Sequence, residues 1–453
     1  MERLQNYEAG ARPLGIDLFA GAGGLSLGFE QAGFDVAAAV EIDPVHAAVH
    51  KFNFPNTAVL PQSVEGLSAA AIREAAGIGD RKIDCVFGGA PCQGFSMIGH
   101  RVLDDPRNKL VLEFVRIVTD LNARTFVFEN VKGLTVGKHK RFLAELVEAF
   151  DSAGYVVRTP WQVLNAGHYG TPQSRDRLIL LGARKGENLP DYPAPQTNMA
   201  GRRNPFLGLP LGPTCADALA DLPDADGFPE LLESDSVAEA VFGHPSAYAS
   251  LLRCTANDPW HFGYVREWDP SILTSSARTE HTEISKRRFA ETAEGAVEPI
   301  SRFFKLAEHG VSNTLRAGTD GARGAFTSPR PIHYRHARCV TVREMARLHG
   351  FPDWFRFNVT KWHGARQIGN AVPPPLARAV ATEVMKSLGA SAERPRVMVA
   401  LQEVNLLRYD LTSAARYFRV EAMPSGRNMK SGARKRRQAD IERERLRDSF
   451  ALG

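Results

Sequence analysis

The stretch FGGAPCQGFSMIG, residues 87–99, sets a cysteine, Cys92, between Pro91 and Gln93 in a glycine-rich turn after the apolar run IDCVFGG. Two chemistries fit a thiol there. A small thiol packs well in an interior, or a thiolate held at the tip of a strand attacks a bound ligand. The second needs more than sulfur: a group to give or take a proton, cations that favour the thiolate, and a cradle for the ligand. The chain offers residue types for each. An acid, Glu129, falls near the end of the run RTFVFENV, Lys and Arg number 56 along the chain, and a second glycine loop, FAGAGG, lies near the start.

That second loop belongs to DLFAGAGGLSLGFEQAGF, residues 17–34, between an apolar run and a helical pattern. Small residues let the backbone approach a ligand, and a helix N-terminus favours negative charge. The strict G-x-G-x-x-G spacing is absent, because Gly21, Gly23 and Gly24 are followed by Leu25, Ser26 and Leu27. Glu41 ends the next apolar run about twenty residues on, where an acid hydrogen-bonds adenosine ribose hydroxyls. An adenosine cofactor is therefore expected, either of the nicotinamide type or S-adenosylmethionine. The plain alternative for Glu41 is an ordinary acid at a helix start before Pro44.

These residues need elements to hold them. LGIDLF (14–19), FDVAAAV (34–40), TAVL (57–60), IDCVFGG (83–89), RTFVFENV (124–131) and RLILLGA (177–183) read as buried strands. LSLGFEQAG, KLVLEFVRIVTDLNA and RFLAELVEAFDSAG read as helices, with Gly33 and Gly154 placed as stops. Strand–helix alternation with near-continuous apolar strands predicts an α/β fold, a mostly parallel sheet with helices on both faces. Such sheets bind ligands outside the carboxyl ends of their strands, where Phe19, Glu41, the Cys92 loop and Glu129 all fall. After Arg184 the texture turns rich in Pro and Gly and loses periodicity until about residue 335, which predicts an inserted domain of irregular, partly β structure. Order returns at 339–357 and at 367–388, a turn and a helix whose first turn takes Pro373 to Pro375. The expected division is 1–183 and 338–390 for a catalytic and cofactor-binding domain, 184–337 for the insert, and 391–453 for a basic extension.

With a thiol on the fourth strand's loop, the sequence resembles the DNA cytosine-5 methyltransferase family. That family carries a Pro-Cys-Gln nucleophile loop, a Glu-Asn-Val strand end, a Gln-x-Arg-x-Arg segment and, near its end, Gly-Asn-x-Val-Pro. This chain shows Pro91-Cys92-Gln93, Glu129-Asn130-Val131, Gln173-Ser174-Arg175-Asp176-Arg177 and Gly369-Asn370-Ala371-Val372-Pro373 in that order, within residues 14–388. Thr314, Leu315 and Arg316 resemble a short signature near the end of the family's recognition domain.

The resemblance implies a Rossmann-like S-adenosylmethionine-dependent methyltransferase fold, a doubly wound mixed sheet with the insert as a smaller target-recognition domain. It implies methyl transfer from S-adenosyl-L-methionine to C5 of cytosine in a specific short sequence of duplex DNA. Cys92 would be the thiolate that adds to C6, on a loop fixed by Pro91. Glu129, next to Asn130 and protonated at that moment, would serve N3. Arg175, with Arg177, would hold the cytosine O2 or a flanking phosphate, and Arg175 and the sulfonium are the cations expected to favour the thiolate. Phe19 and Ile42 would contact the adenine, Gly21, Gly23 and Gly24 the methionine part, and Glu41 the ribose, with Asn370 and Val372 closing the pocket. The family has an acid after the third strand where this chain reads VLPQSVEGL, which puts Ser63 at that place. A base inside a duplex hides its C6, so base flipping is expected, with SMIGHRVLDDPRNKL closing over the DNA. A bacterial or phage modification enzyme, with a cognate restriction endonuclease on the same site as a possible partner, is the family expectation. An RNA (tRNA) cytosine-5 methyltransferase of the same fold and a catalytically silent DNA-binding regulator are the alternatives.

Bulk properties agree. The five cysteines, Cys85, Cys92, Cys215, Cys254 and Cys339, are widely spaced without a CxxC pair, which predicts neither disulfides nor zinc and fits a reducing cytoplasm. No apolar run reaches membrane-spanning length, and the first residues, MERLQNYEAG, form no apolar leader. A monomer is the default. The net charge of +5 permits a polyanionic partner. Charge gathers from Lys386 onward, with 15 Lys and Arg against 8 Asp and Glu, densest in KSGARKRRQ. That tail reads as a phosphate-contacting arm or a solvated one, and LTSAARYFRV within it as a short helix. RPIHYRHAR, residues 330–338, is expected to meet phosphates; His333 and His336 lack a partner spaced to complete a metal site, so no metal is expected.

Overall fold

The computed structural model describes residues 12–91, 108–135, 139–203, 205–319 and 329–421. The apolar runs form β1 (Leu14–Leu18), β2 (Asp35–Val40), β3 (Ala58–Leu60), β4 (Cys85–Gly88), β5 (Thr125–Val131), β6 (Tyr155–Val157), β7 (Gln162–Asn165) and β8 (Asp176–Arg184). They make one sheet in the order β3-β2-β1-β4-β5-β8-β6, with β7 also on β8. The first five strands pair in parallel, and β8 runs antiparallel to β5, β6 and β7. The chain steps outward from β1 to β3, then returns to lay β4 on the other side of β1. A crevice opens where the strand order reverses in this way.

Helices cover both faces, as their apolar stripes require. Between strands run α1 (Gly24–Ala32), α2 (Pro44–Asn53), α3 (Ala69–Ala76), α4 (Lys109–Asp120) and α5 (His139–Ser152). One face packs Ile72 of α3, Phe114 of α4 and Phe142, Leu146 and Phe150 of α5 on the sheet. Phe126 of β5 stacks on Phe150 with ring centroids 3.9 Å apart. The other face holds α1 and a helix from the far end of the chain. Phe29 stacks on Phe87 of β4 at 3.6 Å, and Leu376, Val380 and Val384 complete that core.

The expected strands and the helices of the first half occur. The elements missed are α2, which is buried on nearly every side and so shows no polar–apolar stripe, and the shorter α3, β6 and β7. Tyr155–Val157 and Gln162–Asn165 belong to one stretch, YVVRTPWQVLN, whose turn residues hide two strands of three and four residues.

The insert holds α6 (Cys215–Leu219), α7 (Ala247–Leu252), β9 (Val265–Glu267) and α8 (Glu283–Glu291), joined by irregular chain. Then come α9 (Val342–His349), α10 (Lys361–Asn370), α11 (Pro374–Ser387), β10 (Met398–Ala400) and α12 (Leu411–Phe418). The turn expected before α11 is preceded by a full helix, α10, and Pro374 takes the first turn of α11 after Pro373. LTSAARYFRV is helical as expected. It neither hangs free nor stands apart, because α12 and Val404–Arg408 pack on α2. The segment KSGARKRRQ lies outside the described residues.

One surface expectation is overturned. RPIHYRHAR turns mostly inward rather than toward phosphates, with Arg335 left exposed. Arg330, His333 and Arg338 are buried. Arg338 donates to both oxygens of Glu344 at 2.8 Å. His333 Nδ1 accepts the N–H of Arg335 at 3.0 Å and of His336 at 3.2 Å. Burial pushes its pKa down to about 3, so it carries no charge to offer a phosphate. Glu344, which starts α9, lies just beyond the motif, so the partner that draws the motif inward comes with the next helix.

Phe126→Ala would leave a void beneath the Phe150 ring. It should cost about 3–5 kcal/mol in denaturant unfolding; a loss under 1 kcal/mol would show that this face is not close-packed.

Candidate active site

Along the carboxyl ends of β2, β1, β4, β5 and the start of β8 lies a cleft of about 790 Å³. Phe19, Gly21 and Gly24 line it after β1, Glu41 and Ile42 after β2, Pro91 after β4, Glu129 and Asn130 at β5, and Arg175 and Arg177 at β8. Thr314, Leu315 and Arg316 close it from the insert, and Asn370 and Val372 from the segment before α11. Three predicted site residues are not among its lining. Gly23, at the N-cap of α1, faces Phe54 and His50 instead. Ser63 spends its Oγ accepting the N–H of Glu65 at 3.1 Å. Cys92 lies outside the described residues, as do residues 93–107 of the loop expected to close.

The loop after β1 is shaped by positive φ at Phe19 (61°), Gly21 (55°) and Gly23 (106°). This curl aims the Gly21 N–H at Glu41 Oε2, 2.8 Å away, and Glu41 Oε1 accepts the N–H of Asp43 at 2.8 Å. Each oxygen keeps a lone pair for a ligand hydroxyl. Burial raises the Glu41 pKa, against the pull of His46 and the two N–H donors. Gly24 admits the chain opposite: a Cβ there would strike the Val372 carbonyl and Ala371. These features fit an adenosine cofactor, with a carboxylate aimed by backbone N–H groups beside a glycine loop where nothing lies within 4 Å of the place a Gly21 Cβ would take.

Two neighbours escaped the sequence reading. Asp43 caps α2, accepting from Val45 N at 2.9 Å, and His46 is 5% exposed with Nε2 3.8 Å from Asp43 Oδ2. Recognising α2 was the missing signal, since its first turn brings His46 beside Glu41. Beneath the loop, Ser26 Oγ donates to Asp17 Oδ2 at 2.6 Å and lies 3.0 Å from His50 Nε2. Burial drives the Asp17 pKa up to about 8 and that of His50 down to about 3.

At the β5 side, Glu129 Oε1 lies 2.6 Å from Arg177 Nε. Burial raises the Glu129 pKa, while Arg177 first and Arg175 next lower it; the net shift is upward. Gly89 makes room for this carboxyl, because a Cβ there would strike Glu129 Oε2. Asn130 Nδ2 donates to the Ala90 carbonyl at 2.8 Å, which ties the chain before Pro91 to β5.

Arg175 differs from its expected role. It is 1% exposed, with Nη1 donating to Leu315 O at 2.8 Å and Nη2 to Gly369 O at 2.7 Å and Ala371 O at 2.9 Å. Gln173 Oε1 accepts from Leu315 N at 3.1 Å, and its Nε2 lies 2.9 Å from His349 Nδ1. His349 Nε2 in turn lies 3.1 Å from Ala371 O. The Gln-x-Arg pair therefore fastens the end of the insert and the Gly369–Val372 segment to the sheet. Arg177, against Glu129, is the guanidinium beside the carboxyl. Among the described residues no group of three or more His, Cys, Asp and Glu is placed to hold a metal ion, and no helix is long and apolar enough to cross a membrane.

Comparison with known proteins agrees with this geometry. The model of the C-5 cytosine-specific DNA methylase family matches residues 15–386. The chain is 56% identical over 433 residues to the Type II methyltransferase M.XorII of Xanthomonas oryzae pv. oryzae, covering 96% of this chain and 99% of that protein. It is 32% identical to M1.HphI of Haemophilus parahaemolyticus, over 82% of this chain and 86% of the relative. A crystal structure described as a DNA modification methyltransferase encoded within an E. coli prophage matches with TM-score 0.65 and 31% identity, over 83% of this chain and 99% of that one.

The buried Asp17 gives a signed prediction. Unfolded, this carboxyl ionises near pH 4; folded, near 8. Between these values the folded state binds the extra proton, so stability from this group is full below pH 4 and falls as pH rises toward 8. Unfolding free energy should drop by on the order of 2–3 kcal/mol from pH 5 to 7.5. Asp17→Asn should flatten that drop; equal slopes in the two proteins would refute it.

Proposed function

Because this chain belongs to the C-5 cytosine-specific DNA methylase family, we propose that it methylates cytosine C5 within one short duplex sequence, through a transient bond from Cys92 to C6 of a flipped base. The observation that carries the reading is one cleft running from Glu41 and the glycine loop to Pro91, Glu129 and Arg177. The family match is to DNA methylases and the 56% identical relative carries a Type II methyltransferase name, which favours the DNA-directed reading over the RNA-directed and the catalytically silent alternatives.

Cytosine C5 is a poor nucleophile. Addition of the Cys92 thiolate to C6 pushes electrons toward C5 and N3 and makes C5 enamine-like. Glu129, whose neutral form burial favours against the pull of Arg177, serves N3 as proton donor when charge builds there. Arg177 holds Glu129 in place and presents donors to the cytosine O2. Arg175 acts as a brace for the cleft walls rather than as a ligand to the base. S-adenosyl-L-methionine, when bound, supplies the sulfonium methyl group that C5 attacks. Phe19 and Ile42 would flank its adenine, Glu41 would accept from its ribose hydroxyls, and the Gly21–Gly24 loop would lie along its methionine part. C5 then loses its proton to solvent, and Cys92 leaves C6 by elimination. A stacked base shields C6 from the thiol, so extrusion from the duplex precedes addition. The Type II names of the relatives support a modification role that protects the site from a cognate endonuclease.

Bisulfite sequencing of DNA from cells expressing the chain will identify the methylated site. A duplex carrying 5-fluorocytosine there should trap a covalent adduct, since fluorine cannot leave C5 as a proton does. Cys92→Ser should abolish the adduct and keep DNA binding; an adduct that survives the change would overturn the mechanism. Glu129→Gln cannot transfer a proton to N3. It should lower kcat by about 10²–10⁴ with DNA affinity retained, and near-normal turnover would remove Glu129 from this role.

A further inference from the structure

The family model ends at residue 386, yet the chain beyond it is folded onto the cofactor cleft. We propose that residues 404–418 are a clamp that sets cofactor affinity by holding two walls of the cleft, α2 and α10, in register. This rests on the adenosine-cofactor reading above.

The first wall is α2. Leu406 and Leu407 are 3% and 0% exposed and pack with Ala48, Val49 and Phe52 of that helix. Ala22, from the glycine loop, joins the same cluster and also lines the cleft. Residues of the loop and the helix thus share one apolar contact with the extension. Glu41 receives the N–H of Gly21 and of Asp43, the N-cap of α2. A shift of α2 against the glycine loop would therefore pull one of those two bonds off the carboxylate that takes the ribose.

The second wall is α10. Val359 N–H donates to Leu407 O at 3.0 Å, and Asn358 Nδ2 donates to Tyr409 O at 3.0 Å. The same Asn358 accepts at Oδ1 from Thr360 N and Oγ1, at 3.0 and 2.8 Å. Thr360 is the N-cap of α10. Asn358 N–H also donates to Gln367 Oε1 at 3.0 Å. Gln367 and Asn370, the last residue of α10, line the cleft. One short segment therefore touches both walls, from outside the cleft and without lining it.

A clamp of this kind changes the fraction of molecules in the binding-competent arrangement, so apparent affinity falls by that fraction while chemistry on the loaded enzyme is unchanged. Its members are positioning residues. The test is calorimetric titration of the full chain, without DNA, by S-adenosyl-L-methionine and S-adenosyl-L-homocysteine. Leu407→Ala empties the contact with α2. Asn358→Asp keeps the acceptor for Thr360 but cannot donate to Tyr409 O, and it serves if Leu407→Ala does not fold. Either change should weaken both ligands by about tenfold, raise KM for the cofactor equally, and leave kcat at saturating cofactor near that of the parent. Phe126→Ala, destabilised on the far face of the sheet, should bind both ligands as the parent does. Parent-like binding in both clamp variants, or an equal loss in Phe126→Ala, would overturn the clamp. Failure of the parent chain itself to bind either ligand would instead remove the cofactor reading, and the clamp with it.

Discussion

Three main-chain carbonyls converge on the guanidinium of Arg175, and the cleft exists because they do. Leu315 comes from the end of the insert, Gly369 and Ala371 from the end of α10, and Arg175 from the edge of β8. These segments lie 140, 194 and 196 residues from the arginine along the chain. A buried guanidinium is costly to desolvate, and here the cost is offset by oxygens that would otherwise be orphaned in the interior. Removing either side leaves the other unsatisfied. The interaction therefore specifies where the insert and the returning chain must sit; His349 meets the Ala371 carbonyl as well, and Gln173 accepts the Leu315 N–H.

Within the walls so placed, burial acts on two carboxyl groups that are anchored differently. Glu41 is held by backbone N–H donors, which keep both oxygens aimed and charge-accepting. Glu129 is held by a neighbouring guanidinium across one edge, with the desolvation of its site raising its pKa. The first suits recognition of hydroxyl groups, the second suits proton donation as charge develops on a ring. One sheet edge thus supports a binding carboxylate and a donating carboxyl by changing only what surrounds each.

The insert reaches stability by another route. Besides modest apolar clusters, it is tied to α9 by buried ion pairs. Arg347 of α9 binds Asp221 of the insert at 3.0 Å, and Arg338, which binds Glu344 of α9 at 2.8 Å, also donates to Asp224 of the insert at 3.1 Å. Broken pairs of this kind leave an uncompensated charge, so they enforce one arrangement strongly even where their net contribution is small. That suits a domain with few regular elements, whose irregular chain must still present a fixed surface.

Periodicity and motif order were enough, from sequence alone, for the strand–helix alternation, the sheet with helices on both faces, and the residues gathered at its carboxyl end. Phe19, Glu41 and Glu129 could be placed because each sits at the end of a strand whose apolar pattern is local, while Gly21, Pro91 and Asn370 come through the family resemblance. Helix α2, buried on nearly every side, and short strands such as β6 gave no such pattern, and with α2 went His46 and the seat of the C-terminal extension. Tertiary structure alone decided what depends on partners far along the chain. It made Arg175 a brace and left Arg177 beside Glu129, turned Ser63 into a local turn, and drew Arg338 and His333 inward to Glu344. A charged side chain reads the same in sequence whether it meets water, a ligand or a buried counter-charge. Only the fold supplies the neighbour that settles which.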